Sequence, residues 1–254
     1  TIETLSNTLT LNIVKKKATN IIIISEKGNI LHSLSRKFNL FFIEHKKFIG
    51  GRYSVLSEVG IVPAIIMGIN YKSLRKNSEI YLKNKSKFLK QSSIILSNLL
   101  LVGDHPSLVF LNYSPELNKF LYWCQQLIAE SLGKKGKGFL PVVSNNPKDH
   151  HSLLQLYLGG PRDKIFYIFS IEDKLNFKLK TKKVSKDLNY LNNKNIKTIK
   201  KAQIGALIKI LKLQKIPFRE FKINKLDEGT LGELFSYFIL ETAIVGRLIK
   251  INPF

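Results

Sequence analysis

Three short stretches of the sequence pair a charged or titratable side chain with a setting that could use it. In FIGGRYSVLSEVG, residues 48–60, Arg52 follows Gly50 and Gly51 after a short apolar run. Glycines let a backbone approach a ligand or take unusual dihedrals, and a guanidinium holds an oxyanion through several donors. The stretch alone admits an anion site at a strand end, where open α/β sheets place ligands, or a tight turn with a solvated arginine. In WCQQLIAESLGKKGKG, residues 123–138, Glu130 stands one turn beyond Gln126 near the end of a helical pattern, beside Leu127, Ile128 and Leu132. Partial burial there and the negative end of the helix would both raise its pKa and suit it to act as a base. A capping or surface glutamate is the plainer alternative. In PKDHHSLLQLY, only one of His150 and His151 can share a helix face with Gln155. His151 has the i, i+4 spacing to Gln155 and is the candidate for a polar cleft, with Asp149 and Ser152 placed to cap or orient the pair.

Together these types describe acid–base chemistry. A carboxylate removes a proton beside a carbonyl, an arginine stabilises the oxyanion that develops, and a histidine shuttles a proton between oxygens. No H-x-x-x-H pair or cysteine companion accompanies the histidines, so metal binding is poorly supported, and the acid–base reading calls for neither a metal nor a redox cofactor. Cys124, in LYWCQQL, reads as a small buried hydrophobe and Trp123 as a core or interface residue. His105, in GDHPS, reads as local turn chemistry, and GPRDK, 160–164, as a turn entering a strand.

The composition bounds the rest. The chain has 254 residues, 41 Lys and Arg against 18 Asp and Glu, and a formal charge of +23. That field favours anionic partners. The lysines are dispersed and lack zinc-finger spacing or aromatic–basic alternation, so a nucleic-acid partner is not the leading expectation. One cysteine allows no disulfide within the chain, and a reducing compartment is the default. No apolar run reaches membrane-spanning length, and TIETLSNTLT lacks the regions of a signal peptide.

The elements that must position these residues follow from periodicity. Residues 1–17 could form an amphipathic helix. ATNIIIIS, 18–25, reads as a buried strand, GNILHSLSRKF as a helix opened by Gly28-Asn29, and LFFIE as a second strand. EVGIVPAIIMGI reads as a helix with Pro63 near its start or at a kink. Residues 71–101 read as one long helix. SLVFLNYS, KGKGFLPVVS, KIFYIFSI and PFREFKIN read as strands separated by the helices PELNKFLYWCQQLIAESLG, KDHHSLLQLYLGG and AQIGALIKILKLQKI. Residues 172–200 form a polar excursion, and LDEGTLGELFSYFILETAIVGRLIKI a long apolar helix. Alternating strands and helices predict parallel sheets.

Four ordered motifs carry a resemblance. IGGRYSVLSEVG (49–60), WCQQLIAESLGKKGKG (123–138), DHHSLLQLYLGGPRDK (149–164) and LGELFSYFILETAIVGRLIKINPF (231–254) resemble segments of the glucose-6-phosphate isomerase family in its short bacterial form. The resemblance implies an α/β fold of three-layer αβα sugar-isomerase type, with doubly wound parallel sheets of five strands. Residues 1–70 would be the C-terminal part of an incomplete first domain. Residues 71–254 would be the second, truncated before a lysine-bearing C-terminal segment. It implies interconversion of glucose 6-phosphate and fructose 6-phosphate through a cis-enediol, without cofactor or metal, in a cytoplasmic homodimer with shared active sites.

Carried over by motif, Glu130 resembles the base, Arg52 the residue that stabilises the enediolate and His151 the ring-opening histidine, supplied by the neighbouring subunit. Gln126 and Gly51 would contact substrate, and Thr1 and Thr4 match the last threonines of a phosphate loop. His150 stands where glutamine is usual, and Leu140 where threonine often stands. The serines of the loop and the later lysine are not in this sequence, so the 254-residue chain alone is expected to be inactive or poorly folded. A sugar-phosphate binding module without turnover, a basic nucleic-acid binder and an isomerase of broader sugar specificity are the alternatives.

Overall fold

The computed structural model describes residues 20–83, 86–172, 177–181 and 186–254. The amphipathic helix expected over 1–17, Thr1 and Thr4 lie outside the described residues. Contacts divide the chain into two units, Thr1–Arg75 and Lys76–Phe254.

In the first unit, β1 (Ile22–Ser25), α1 (Ile30–Lys37) and β2 (Phe41–Glu44) form a β–α–β unit whose two strands are parallel, with Ile22 opposite Phe41. Asn29 opens α1 as its sequence suggests, its Oδ1 accepting the His32 N–H at 2.9 Å. The isoleucine run is not buried throughout: Ile23 and Ser25 are buried, Ile22 is exposed and Ile24 is half-buried. Its core is Ile23 and Leu40 with Leu31, Leu34 and Phe38 of α1 and its flank, so side chains alternate between packed and open faces. A 3-10 turn (Gly51–Leu56) leads into α2 (Glu58–Ile66), capped by Ser57 and containing Pro63. Gly60 is required here, because a Cβ on it would stand 1.9 Å from the Val55 carbonyl oxygen.

The stretch expected as one helix over 71–101 is divided. It forms α3 (Tyr71–Ser78, across the boundary between the units), α4 (Ile80–Lys83) and α5 (Ser86–Val102). The break after Ser78 has a tertiary cause. The Ser78 carbonyl accepts from the Ser236 hydroxyl, and Tyr81 donates to Glu233 Oε1 at 3.0 Å. Both partners lie on α9 (Glu228–Leu248), around which the chain bends.

The second unit is built on β3 (Ser107–Asn112), β4 (Leu140–Asn145), β5 (Lys164–Ile171) and β6 (Phe218–Ile223), in the order β4-β3-β5-β6 and all parallel. In register, Ser107 lies opposite both Leu140 and Lys164. Described strands therefore number four here and two in the first unit, not the five per sheet that the resemblance implied. Residues 165–169 of β5 are buried, as a strand covered on both faces must be. One face carries Val109, Leu111, Phe166 and Ile168 against α7 (Lys148–Gly159) and α8 (Ile196–Leu213). Phe110, Tyr167 and Phe169 point the other way and meet Phe238 of α9, which also touches Phe120 of α6 (Asn118–Leu132). The result is a doubly wound α/β/α layer. α8 begins at Ile196, earlier than its apolar pattern suggests, because Asn195 caps it by accepting from the Lys197 N–H at 2.9 Å.

Candidate active site

Glu130 and Gln126 lie on the outer surface of α6, both exposed, four residues apart on one helix face. The Gln126 amide donates to Glu130 Oε1 at 2.8 Å and fixes the direction of the carboxylate. The partial burial expected of Glu130 is not found: Leu127, Ile128 and Leu132 are buried on the opposite side of the helix. Cys124 is fully buried, and burial pushes its thiol pKa well up. Trp123 packs edge-on against Phe235, with ring centroids 4.9 Å apart.

The histidine pair divides its work differently from the expectation. His151 and Gln155 are both exposed, on the surface of α7 rather than in a cleft. His150 turns inward, its Nε2 2.7 Å from the Tyr113 hydroxyl at the end of β3. Burial lowers the His150 pKa, with the charge of Asp149 opposing, and burial raises that of Tyr113. A neutral imidazole nitrogen thus accepts a hydrogen bond from the Tyr113 hydroxyl and anchors the first turn of α7. Asp149 orients neither histidine. Its Oδ2 accepts from the Asn145 N–H at 2.7 Å and the Ser144 hydroxyl at 3.1 Å, closing the loop from β4 into α7.

Arg52 belongs to the first unit. It does not project from a strand end: β2 ends at Glu44, and Arg52 sits in the 3-10 turn beyond. Its guanidinium carbon lies 5.2 Å from the centre of the Tyr53 ring. Gly50 and Gly51 are not in the left-handed region, so the expected unusual dihedrals are absent. A Cβ on Gly51 would meet nothing within 4 Å, which leaves open approach to its backbone. The Ser54 hydroxyl closes the turn by donating to the Gly51 carbonyl at 2.6 Å.

The fold brings Gln126 to Glu130 but does not bring Glu130 to His151. α6 descends from the C-terminal edge of the sheet, so Glu130 in its last turn lies toward the N-terminal edge. His151 is in the first turn of α7, which starts at the C-terminal edge and packs on the opposite face. Fifteen residues of helix span about 22 Å, too far for two side chains to bridge.

Two groupings escaped the sequence reading. One is Tyr113–His150. The other is His45–Glu58, where the imidazole Nδ1 lies 2.5 Å from Glu58 Oε1. Glu58 stands inside the GGRYSVLSEVG stretch, yet no periodicity links it to a histidine 13 residues earlier. Among the described residues no three His, Cys, Asp or Glu side chains gather as metal ligands. A cavity of about 540 Å³ lies between α8 and the ends of β5 and β6, lined in part by Lys197, Lys201, Lys212 and Lys222, and it includes none of the candidate residues.

No protein-family model matches the chain. Among curated proteins, it is 32% identical over 270 residues to a "probable glucose-6-phosphate isomerase" of Methanococcus maripaludis, covering 100% of this chain and 59% of that protein. It is 33% identical to the glucose-6-phosphate isomerase of Mycoplasmopsis pulmonis, covering 81% of this chain and 50% of the relative. For the Staphylococcus epidermidis enzyme the figures are 31%, 81% and 48%. The chain thus spans about half the length of the curated relatives it matches. Among solved structures, a hypothetical protein from Thermus thermophilus superposes with a TM-score of 0.83 at 24% identity, covering 100% of this chain and 62% of the other. A glucose-6-phosphate isomerase from Chlamydia trachomatis gives 0.73 at 19%, covering 98% and 52%.

The parallel, doubly wound layers and these superpositions define the class: an α/β fold of the sugar-isomerase type. Within that class, the curated proteins to which the chain is similar in sequence are glucose-6-phosphate isomerases.

Proposed function

We propose that this chain carries reacting residues of an enzyme that interconverts glucose 6-phosphate and fructose 6-phosphate. The observation that carries this reading is similarity over the whole chain to a probable glucose-6-phosphate isomerase of Methanococcus maripaludis and over 81% of it to that of Mycoplasmopsis pulmonis. In the proposed reaction the Glu130 carboxylate takes the proton from C2 of the open-chain aldose. The C2–H electron pair moves into a C1–C2 double bond, and the aldehyde oxygen becomes the enediolate oxyanion beside Arg52. Proton exchange between the two oxygens and return of the proton to C1 give the ketose, with no net oxidation. His151 moves the proton that opens the sugar ring. The Gln126 amide on Oε1 aims the carboxylate at its substrate.

The separation of Glu130 from His151 within one chain favours a homodimer in which His151 of the partner subunit completes the site. Gly51, with open space at its α-carbon, is proposed to admit substrate close to the backbone. A cytoplasmic, glycolytic and gluconeogenic setting follows from the same reading.

A coupled assay on the full protein carrying this chain tests it. Glu130→Gln should lose about 10²- to 10⁴-fold in turnover, the usual contribution of a positioned acid–base group. Sugar-phosphate binding should be largely retained. Turnover near that of the unmodified protein would overturn the reading.

A further inference from the structure

Arg52 can stabilise an oxyanion only if its turn is held still, and the segment that carries it has a fastening outside the family motif's glycines and arginine. His45 follows the last residue of β2, and Glu58 is the first residue of α2. Between them the chain makes successive tight turns: the Ile49 N–H donates to Lys46 O at 2.9 Å, Tyr53 N–H to Gly50 O at 2.9 Å and Ser57 N–H to Ser54 O at 2.9 Å. The His45 ring closes this arch. Its Nε2 lies 2.9 Å from the Ile49 carbonyl oxygen and its Nδ1 2.5 Å from Glu58 Oε1. Both side chains are mostly buried, with 13% and 25% of their surface exposed.

The hydrogen-bond chemistry fixes the state of the ring. A carbonyl oxygen and an ionised carboxylate only accept, so each ring nitrogen must donate, and only the imidazolium does both. A neutral ring would set one lone pair against an oxygen. We propose that His45 and Glu58 form a charge-dependent clasp that positions Arg52, making His45 a positioning residue for the reaction. This inference rests on the role proposed above for Arg52.

The surroundings support the charged form. Burial lowers the His45 pKa, but the bond to Glu58, the Ile49 carbonyl and the charges of Glu58 and Glu26 outweigh it, and the net shift is upward. Burial likewise raises the Glu58 pKa, and its backbone bonds and His45 outweigh that, leaving it lowered. Glu44, next in sequence, is occupied by Lys27 at 2.7 Å and Lys46 at 3.2 Å. The sign follows: a histidine with a raised pKa keeps its clasp at low pH and loses it as pH rises through that value.

Two measurements on the full protein decide the matter. The first is the imidazole NMR titration of His45, assigned by its loss in His45→Gln. Its midpoint is expected above the ordinary value of about 6.5, moving down in the near-isosteric Glu58→Gln. A midpoint at the ordinary value, or one indifferent to Glu58→Gln, overturns the clasp. The second is turnover. An oxyanion-stabilising group acts in the transition state, so misplacing it lowers kcat and spares KM. His45→Gln is expected to lower kcat about tenfold or more, as small displacements of a positioned group do, with KM within about twofold. The alkaline limb of kcat should shift to lower pH in Glu58→Gln, a change that a purely structural contact would not produce. Arg52→Lys is the reference, expected to cost about 10²-fold or more. His45→Gln combined with Arg52→Lys should cost little beyond Arg52→Lys alone. Unimpaired His45→Gln beside impaired Arg52→Lys overturns the positioning role and leaves the proposed function standing. Unimpaired Arg52→Lys overturns the role of Arg52 and, with it, the positioning. Should His45→Gln fail to fold, the shift of the limb in Glu58→Gln decides alone.

Discussion

At the residue scale, the two histidines in DHHS show how neighbours of one type take opposite tasks. Successive helical residues point about 100° apart, so one turns to the sheet and the other to solvent. His150 takes the inward place and accepts from Tyr113 at 2.7 Å, which leaves His151 outward and available to a partner. Removing the phenol oxygen leaves a half-buried nitrogen without its donor. Tyr113→Phe should cost about 1–2 kcal/mol in urea unfolding. Its effect on turnover should be smaller than that of changing His151, since only the latter is proposed to act in the reaction. A Tyr113→Phe protein as stable as the original would show that the contact contributes nothing.

At the element scale, the ends of helices place the chemistry. Asp227 caps the start of α9, its Oδ1 accepting from the Thr230 N–H at 3.0 Å while Lys225 lies 3.1 Å from Oδ2. The Thr230 backbone bond, then Lys225 and the Thr230 hydroxyl, bring the carboxyl pKa down to about 2. A depressed acid contributes stability above its unfolded value, and that contribution fades as pH falls through its folded one. Asp227→Asn keeps a capping oxygen but no charge. Its melting temperature should lie below the unmodified protein's at pH 6, with the gap holding down to about pH 4 and narrowing only below that, as pH falls toward 2. A gap independent of pH would mean that the charge plays no part. The same reasoning explains α2, where Gly60 and the Ser57 cap seat the helix against the turn bearing Arg52.

At the scale of the molecule, the second unit is tied across its layers by a buried ionic cluster. Arg219 of β6 donates to Glu241 Oε1 of α9 at 2.6 Å. The same guanidinium reaches the hydroxyls of Tyr167 at 2.9 Å and Tyr237 at 2.7 Å, and the Ser92 hydroxyl of α5 donates to Glu241. Burial lowers the arginine's pKa, yet the surrounding phenols and Glu241 raise it on balance, so the guanidinium stays charged. Breaking one side strands a charge in the interior. Glu241→Gln is expected to cost about 3–5 kcal/mol by chemical denaturation. Arg219→Met with Glu241→Leu should recover much of that loss, because no charge is then left behind. A single variant as stable as the original would show that the cluster is solvated.

The local patterns in the sequence were enough for the second unit's strands, from SLVFLNYS through PFREFKIN, and for α6, α7 and α9, because burial on both faces and helical amphipathicity are local patterns. They also placed Gln126 one turn from Glu130, since that spacing is set by the helix itself. The break at Ser78, the outward turn of Glu130, the bond between His150 and Tyr113 and the clasp of His45 on Glu58 were beyond it. Each depends on a partner far along the chain: Ser236 for Ser78, Tyr113 for His150, Glu58 for His45. Sequence alone determined which residues could do the chemistry and which local elements hold them. Only the tertiary structure decided where those residues face, because a side chain's direction is settled by what packs against its element, and that partner is chosen by the folded chain.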